Sequence, residues 1–463
     1  MFNLHTQMLQ YMGRDGYPRT ARDFHWHDFG PRLGLAFRVT PKTVLRSAYG
    51  LIWIEQAAIT SPFTIPQFPF IQTVSQRSLD NLHPAFALSS GPNVAPLLPT
   101  PDAGLGQGVF AVDRKLGSGY TQQWNFSLER QSAPNLSLAI TYGGSKTTHL
   151  GIPDTNLNQL KAEQRMLGGT LLEGLPNPFQ GQIPPSSSLG GATLPRAQLL
   201  RPFPRFTTVS LYRNNAGDAN YHALQAKLEK RFSHGLSLLV SYTRSKLLDD
   251  ASSVFDSAIL AGPVANFPVA DSFNRRLERD VSNDDIPSVV VASHAYELPL
   301  GPDHRFSPSG IAGKFLGGWE ISGIITLQSG LPLAVTQATN FNAFAGFGTQ
   351  RPHRIGNPEL PPSQRSTLQW FNTGAFAVAL QFTLGTSSRN PIRGPGYRSA
   401  DIAAIKRTPI GERVNLEFRS EFFNLSNTPP LGAPNTVLGT PGFGSITSAG
   451  DLRVIQMVLK LNF

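Results

Sequence analysis

Along most of the chain, apolar and polar residues alternate one by one in runs of about ten, each closed by Gly, Pro, Asn or Ser. A period of two places successive side chains on opposite faces of an extended strand, so each run predicts a β-strand. In the last run Ile455, Met457, Leu459, Leu461 and Phe463 share one face, while Gln456, Lys460 and Asn462 share the other. Before it, Val414, Leu416, Phe418 and Phe422 alternate with Asn415, Glu417, Arg419 and Glu421, giving one apolar and one densely charged face.

Earlier runs pair into hairpins. Trp124, Phe126 and Leu128 precede a break at Ala133-Pro134-Asn135, after which Leu136, Leu138, Ile140 and Tyr142 alternate with polar or small residues. Leu33, Leu35, Phe37 and Val39 return through Thr40-Pro41-Lys42 to Leu45, Tyr49, Leu51 and Trp53. Leu224, Leu228 and Phe232 recur every fourth residue and suit a helix as well as a strand. The next run, Leu236 to Tyr242, follows after only Ser233-His234-Gly235, and so short a link favours a hairpin.

Connection lengths add a second signal. Short links fall near 40–42, 131–135, 233–235 and 408–412, and long irregular stretches fill 55–119, 247–285 and 425–451. With strands running up and down, the short links gather on one side and the long ones on the other. Short periplasmic turns opposite long extracellular loops are the asymmetry of outer-membrane barrels. The exception is 299–317, a longer link on the short side. The expected fold is all-β: an antiparallel up-and-down transmembrane β-barrel over residues 1–463, a partial barrel of about fifteen strands. Lys227, Glu229, Glu417, Arg419 and Glu421 are expected to face its lumen.

Composition agrees. Of 463 residues, 40% are hydrophobic and only 15% charged, which suits a surface half solvated by lipid, and 43 Gly with 38 Pro supply many turns. The absence of Cys excludes disulfide scaffolds and thiolate metal sites. The net charge of +10 is spread singly along the chain rather than gathered into a stripe, which argues against nucleic acid as a partner. No apolar run is long enough for a membrane helix. Residues 1–19 show no basic region followed by an apolar core, so no signal peptide is read there. For an outer-membrane protein this leads to the expectation that the chain is a fragment or has a misplaced start.

Candidate chemistry is sparse. His25 and His27, with Asp28, could hold a metal if extended, although an interfacial cluster explains them as well. Asp249, Asp250, Asp271, Glu278, Asp280, Asp284 and Asp285 crowd one long link and could bind calcium, but lack the ligand spacing of a known calcium loop. Gly346-Phe347-Gly348 and Gly442-Phe443-Gly444-Ser445 read as turns, not phosphate or nucleophile loops. No catalytic constellation and no cofactor motif emerges, so no enzyme is expected. The terminal Phe463, with Ile455, Met457, Leu459 and Leu461 at alternate positions, suits a strand presented by edge pairing to the barrel assembly machinery.

Several runs carry a family resemblance: residues 29–49 (FGPRLGLAFRVTPKTVLRSAY), 120–130 (YTQQWNFSLER), 221–245 (YHALQAKLEKRFSHGLSLLVSYTRS), 273–279 (FNRRLER), 317–332 (GGWEISGIITLQSGLP), 393–397 (RGPGY) and 418–427 (FRSEFFNLSN). Their order and spacing resemble the C-terminal barrel of TonB-dependent receptors of the Oar-like kind. The resemblance implies a 22-stranded barrel, closed by an N-terminal plug that contacts TonB and imports a large or scarce ligand. Neither plug nor TonB contact segment is recognisable in this sequence, so TonB is an expected partner only where a plug is supplied. Outer-membrane lipid and an unknown transported ligand complete the expected partners. The leading reading is a TonB-dependent transporter barrel; the alternatives are a passive porin-like channel and a surface β protein in adhesion.

Overall fold

The computed structural model describes residues 1–20, 23, 25–54, 82–89, 91, 98–152, 154–212, 214–251, 269–301, 306, 310–348, 350–410 and 414–463. Eleven long strands carry the fold: β1 (Arg32–Thr40), β2 (Thr43–Ile54), β3 (Gly119–Ala133), β4 (Leu136–Leu150), β5 (Gly217–Ser233), β6 (Leu236–Asp249), β7 (Ser288–Glu297), β8 (Trp319–Gln328), β9 (Tyr397–Ile410), β10 (Val414–Phe423) and β11 (Val454–Asn462). Each pairs antiparallel with the next in chain order, so the sheet is one continuous up-and-down meander. A two-residue strand, Asp280–Val281, adds to β6 off this path.

The expectation of about fifteen strands is corrected to these eleven among the described residues. The other apolar stretches form two- and three-stranded sheets within the long links and the segment before β1, because their patterns are too short to cross the sheet. An odd number of alternating strands makes β1 and β11 run in the same direction, so these two edges cannot close on each other antiparallel. Among the described residues they are not paired with one another.

Leu224, Leu228 and Phe232 lie in β5, a strand of 17 residues, and a spacing of four puts all three on one face of a strand as readily as of a helix. The link to β6 decides the matter. His234 and Gly235 form a two-residue turn with φ of 51° and 75°, the pair of positive values that matches the twist of a hairpin.

Links alternate strictly in length. β1–β2, β3–β4, β5–β6 and β9–β10 are joined by a few residues, and β7–β8 by a longer link containing the helix Gly310–Leu316. Every other connection is long, including two stretches, 151–216 and 329–396, that the sequence pattern does not single out.

The buried apolar clusters lie in those long links and in the segment before β1, not in the sheet. Phe2, Leu9, Val109, Ala111, Phe206 and Val209 form one; Leu160, Leu171, Ala197, Ala345 and Phe347 a second; Val335, Phe371, Ala375, Phe376 and Ile392 a third. The strands instead display their apolar face: Leu33 is 71% exposed, Phe126 51% and Met457 69%. In water such a continuous apolar face carries a large solvation cost, whereas lipid solvates it and the paired strands leave few backbone groups unsatisfied. No helix among the described residues is long and apolar enough to cross a membrane.

Candidate functional site

Residues directly opposite one another on paired strands share a face, so register can be followed across the sheet. Glu229 opposes Leu239, Leu239 opposes Ser293, and Ser293 opposes Ile324. Ile324 opposes Asp401, which shares a face with Ile405, and Ile405 opposes Arg419. Lys227, Glu229, Glu417, Arg419 and Glu421 therefore occupy one face, and Glu417 and Glu421 oppose Lys460 and Gln456 of β11. Ile455, Met457, Leu459 and Leu461 point to the opposite, apolar face, and Phe463 at the end is 93% exposed.

The charges on the polar face interlock. Arg419 donates to Glu417 at 2.9 Å and to Glu421 at 3.3 Å; Arg407 of β9 reaches Glu320 of β8 at 2.8 Å and Glu417 at 3.3 Å; Lys227 meets Glu229 at 3.0 Å. Arg407 and Glu320 were not singled out by sequence. Glu320 directly opposes Glu297, a like-charge pair that Arg407 relieves from the next strand. These side chains are partly solvated, so the ladder adds little stability and serves to keep one face polar and nearly neutral.

The acidic link folds differently from a calcium loop. Glu278 accepts a hydrogen bond from Arg351 at 2.6 Å, Asp249 pairs with Arg389, and Asp285 pairs with Arg393. Asp280 accepts from the backbone N–H of Asn390 at 2.8 Å, Asp250 from that of Asp218 at 2.6 Å, and Asp271 from the Gln159 amide at 2.8 Å. Among the described residues no group of three His, Cys, Asp or Glu side chains could hold a metal ion. Six of the seven carboxylates of the calcium candidate thus already have a donor, and three of them pair with an arginine from another link. Their arginines come from 351–393, whose one acidic residue is Glu359. That imbalance is the signal a sequence reading could have used. In the histidine cluster, a ring nitrogen of His25 lies 3.2 Å from the Leu116 carbonyl, and Asp28 accepts from Ser118.

Both glycine runs are turns. Gly346 has φ +84°, and a Cβ there would lie 2.8 Å from the Asn158 carbonyl; Gly442 and Gly444 have φ of +73° and +88°. The close approach at Gly346 brings 341–348 against 156–159, and a cleft of about 470 Å³ opens beside them, lined by Asp154, Asn156, Gln159, Gln198, Arg201 and Phe347. Arg201 donates to the carbonyls of Thr207 at 2.9 Å and Phe344 at 2.6 Å, while its buried Nε has no hydrogen-bond partner. Among the described residues no carboxylate forms an ion pair with it, and burial pulls its pKa down to about 10. The guanidinium is half-buried, Asp154 is the one carboxylate among the described residues that lines its cleft, and an acceptor in the cleft would satisfy the free Nε–H.

An open meander with one apolar face, one charged face and long links at one end has the strand pattern of a membrane barrel wall. The family model for an outer membrane beta barrel domain matches residues 1–456. The chain belongs to that family. It is accordingly an outer-membrane β-barrel protein of bacteria. No curated protein matches it. Among solved structures it is similar to FpvA of Pseudomonas aeruginosa bound to heterologous pyoverdines, with 10% identity over 94% of this chain and 32% of that one and a TM-score of 0.38. It is also similar to the outer-membrane transporter YddB from Escherichia coli, with 8% identity, 94% and 40% coverage and a TM-score of 0.45. The siderophore receptor PiuA from Acinetobacter baumannii gives 9% identity, 93% and 35% coverage and a TM-score of 0.39. The chain spans 32–40% of the length of these structures.

Proposed function

We propose that this chain is the barrel of an outer-membrane transporter of the TonB-dependent receptor type, residues 1–463 forming one barrel unit. Its ligand is not identified. The observation that carries the reading is the assembly of long links: they pack apolar clusters and buried ion pairs of their own, and they enclose the cleft at Arg201. A plain channel needs no such structure, whereas a receptor must hold its ligand before passage. The Arg201 Nε–H, buried without a partner in that cleft, favours a ligand with an anionic group.

In this reading the apolar face meets lipid, and Lys227, Glu229, Glu417, Arg419 and Glu421 line the lumen, where alternating charge keeps the wall wettable. β11 is a sheet edge with exposed apolar side chains, which suits it for presentation to the assembly machinery. The same polar wall also fits the second reading, a passive channel.

Solute depletion from defined medium separates the two. Cells expressing the full-length gene product and cells lacking it are compared by mass spectrometry, with and without an uncoupler. Depletion of an anionic solute that stops on uncoupling and is weakened by Arg201→Gln is the expected result. Depletion indifferent to uncoupling establishes the passive channel, and no depletion of any solute overturns transport.

A further inference from the structure

The loop end of the apolar face differs in character from the rest of it. Trp124, Tyr142 and His222 cluster there on β3, β4 and β5: Tyr142 Oη lies 2.8 Å from His222 Nδ1, and the Trp124 and His222 ring centroids are 6.2 Å apart. Gly144 makes room for the indole, since a Cβ on it would come within 2.6 Å of Trp124. At the same height β6 carries two cations on this face: Arg244 opposes Leu224, the partner of Tyr142, and Lys246 opposes His222. One step nearer the links, Lys146 of β4 opposes Asn220.

Nearer the short turns the same face turns apolar. Tyr242 opposes Ala226, Ala226 opposes Ile140, Ile140 opposes Leu128, and Leu128 opposes Leu45. Arg244, Lys246 and Lys146 thus stand at the upper margin of an apolar band, beside an aromatic belt. Among the described residues none of the three forms an ion pair with a carboxylate. Arg244 and Lys246 line a cleft of about 560 Å³ together with Tyr142, His222, Leu224, Asp285 and Arg393. The charge of Arg393 is already taken by Asp285.

Aromatic belts mark the boundary between acyl chains and headgroups. Cations placed there without carboxylate partners meet lipid phosphate, the anion that this boundary presents in quantity, through charge-assisted hydrogen bonds. Adjacent apolar side chains at Leu224 and Tyr242 would take up the acyl chain of the same molecule, which a free phosphate does not have. We propose that Arg244 and Lys246, with Lys146 beside them, form a binding site for the phosphorylated headgroup of a lipid on the outer wall of the barrel. With the long links outside the cell, this lipid is the phosphorylated glycolipid of the outer leaflet. The proposal rests on the reading that this face meets lipid and that the long links are external.

The full-length protein, purified in mild detergent, is tested by native mass spectrometry for retention of bis-phosphorylated lipid A, and for rebinding after delipidation. The wild type retains one lipid. Arg244→Gln combined with Lys246→Gln weakens rebinding at least tenfold, while Arg244→Lys and the distant Lys42→Gln do not. Dephosphorylated lipid A binds no better to the wild type than to the double variant, and millimolar inorganic phosphate does not displace the bound lipid. Equal rebinding by wild type and double variant overturns the site, as does displacement by free phosphate. Cysteine labelling of the links on the same cells tests sidedness separately. Links labelled only from the periplasm overturn the glycolipid assignment, whatever the outcome for transport.

Discussion

Arg351 Nη2 lies 2.6 Å from Glu278 Oε2, joining two side chains 73 positions apart in the sequence. Both are nearly withdrawn from solvent, with side-chain exposures of 10% and 5%. The pair ties the link between β6 and β7 to the link between β8 and β9; the Arg393–Asp285 pair repeats the tie, and Arg389 of the same link pairs with Asp249 at the end of β6. Removing one partner strands a buried charge. Arg351→Ala should therefore destabilise the link assembly by ~3–5 kcal/mol, read as earlier thermal unfolding in detergent. Arg351→Met combined with Glu278→Leu should lose less than Arg351→Ala, because neither charge is left behind.

Gly346 tests the close approach that shapes the cleft. With φ of +84° and a Cβ position 2.8 Å from a backbone carbonyl, Gly346→Ala faces both strain and collision. It should cost ~1–3 kcal/mol. Gly442→Ala, where the nearest atom is the movable Ser445 hydroxyl, should cost less. Limited proteolysis within 156–159 checks the difference: faster cleavage in Gly346→Ala than in Gly442→Ala is expected.

Sidedness can be read cleanly because the chain has no cysteine. Met166 and Leu368, in long links, are 89% and 83% exposed, and Lys42 sits in a short turn. A membrane-impermeant maleimide added to intact cells should label Met166→Cys and Leu368→Cys but not Lys42→Cys. The reverse pattern would invert the barrel.

Phe463 ends the edge strand on its apolar side. Phe463→Ser should reduce the heat-modifiable protein found in outer membranes of cells expressing the full-length form. Unchanged amounts would remove the assembly role from this residue.

Alternation of apolar and polar positions by itself determined the strands, their faces and the short turns, because a period of two depends only on neighbouring residues. It is why Glu417, Arg419 and Glu421 can be placed on one wall, and Ile455 to Leu461 on the other, before any contact is known. Link lengths determined the up-and-down order for the same local reason. Tertiary structure alone decided what the long links do. Asp249, Glu278 and Asp285 form an acidic cluster in the sequence, and only folding brings Arg389, Arg351 and Arg393 to them from a link more than 70 positions away. The unpartnered Nε of Arg201 is likewise invisible locally, since a missing hydrogen-bond partner is a property of the space around a residue and not of its neighbours in the chain. Strand number also waited for the structure: short apolar runs in 151–216 and 329–396 have the composition of strands, but packing them together in small buried clusters removes more apolar surface from solvent than extending them singly.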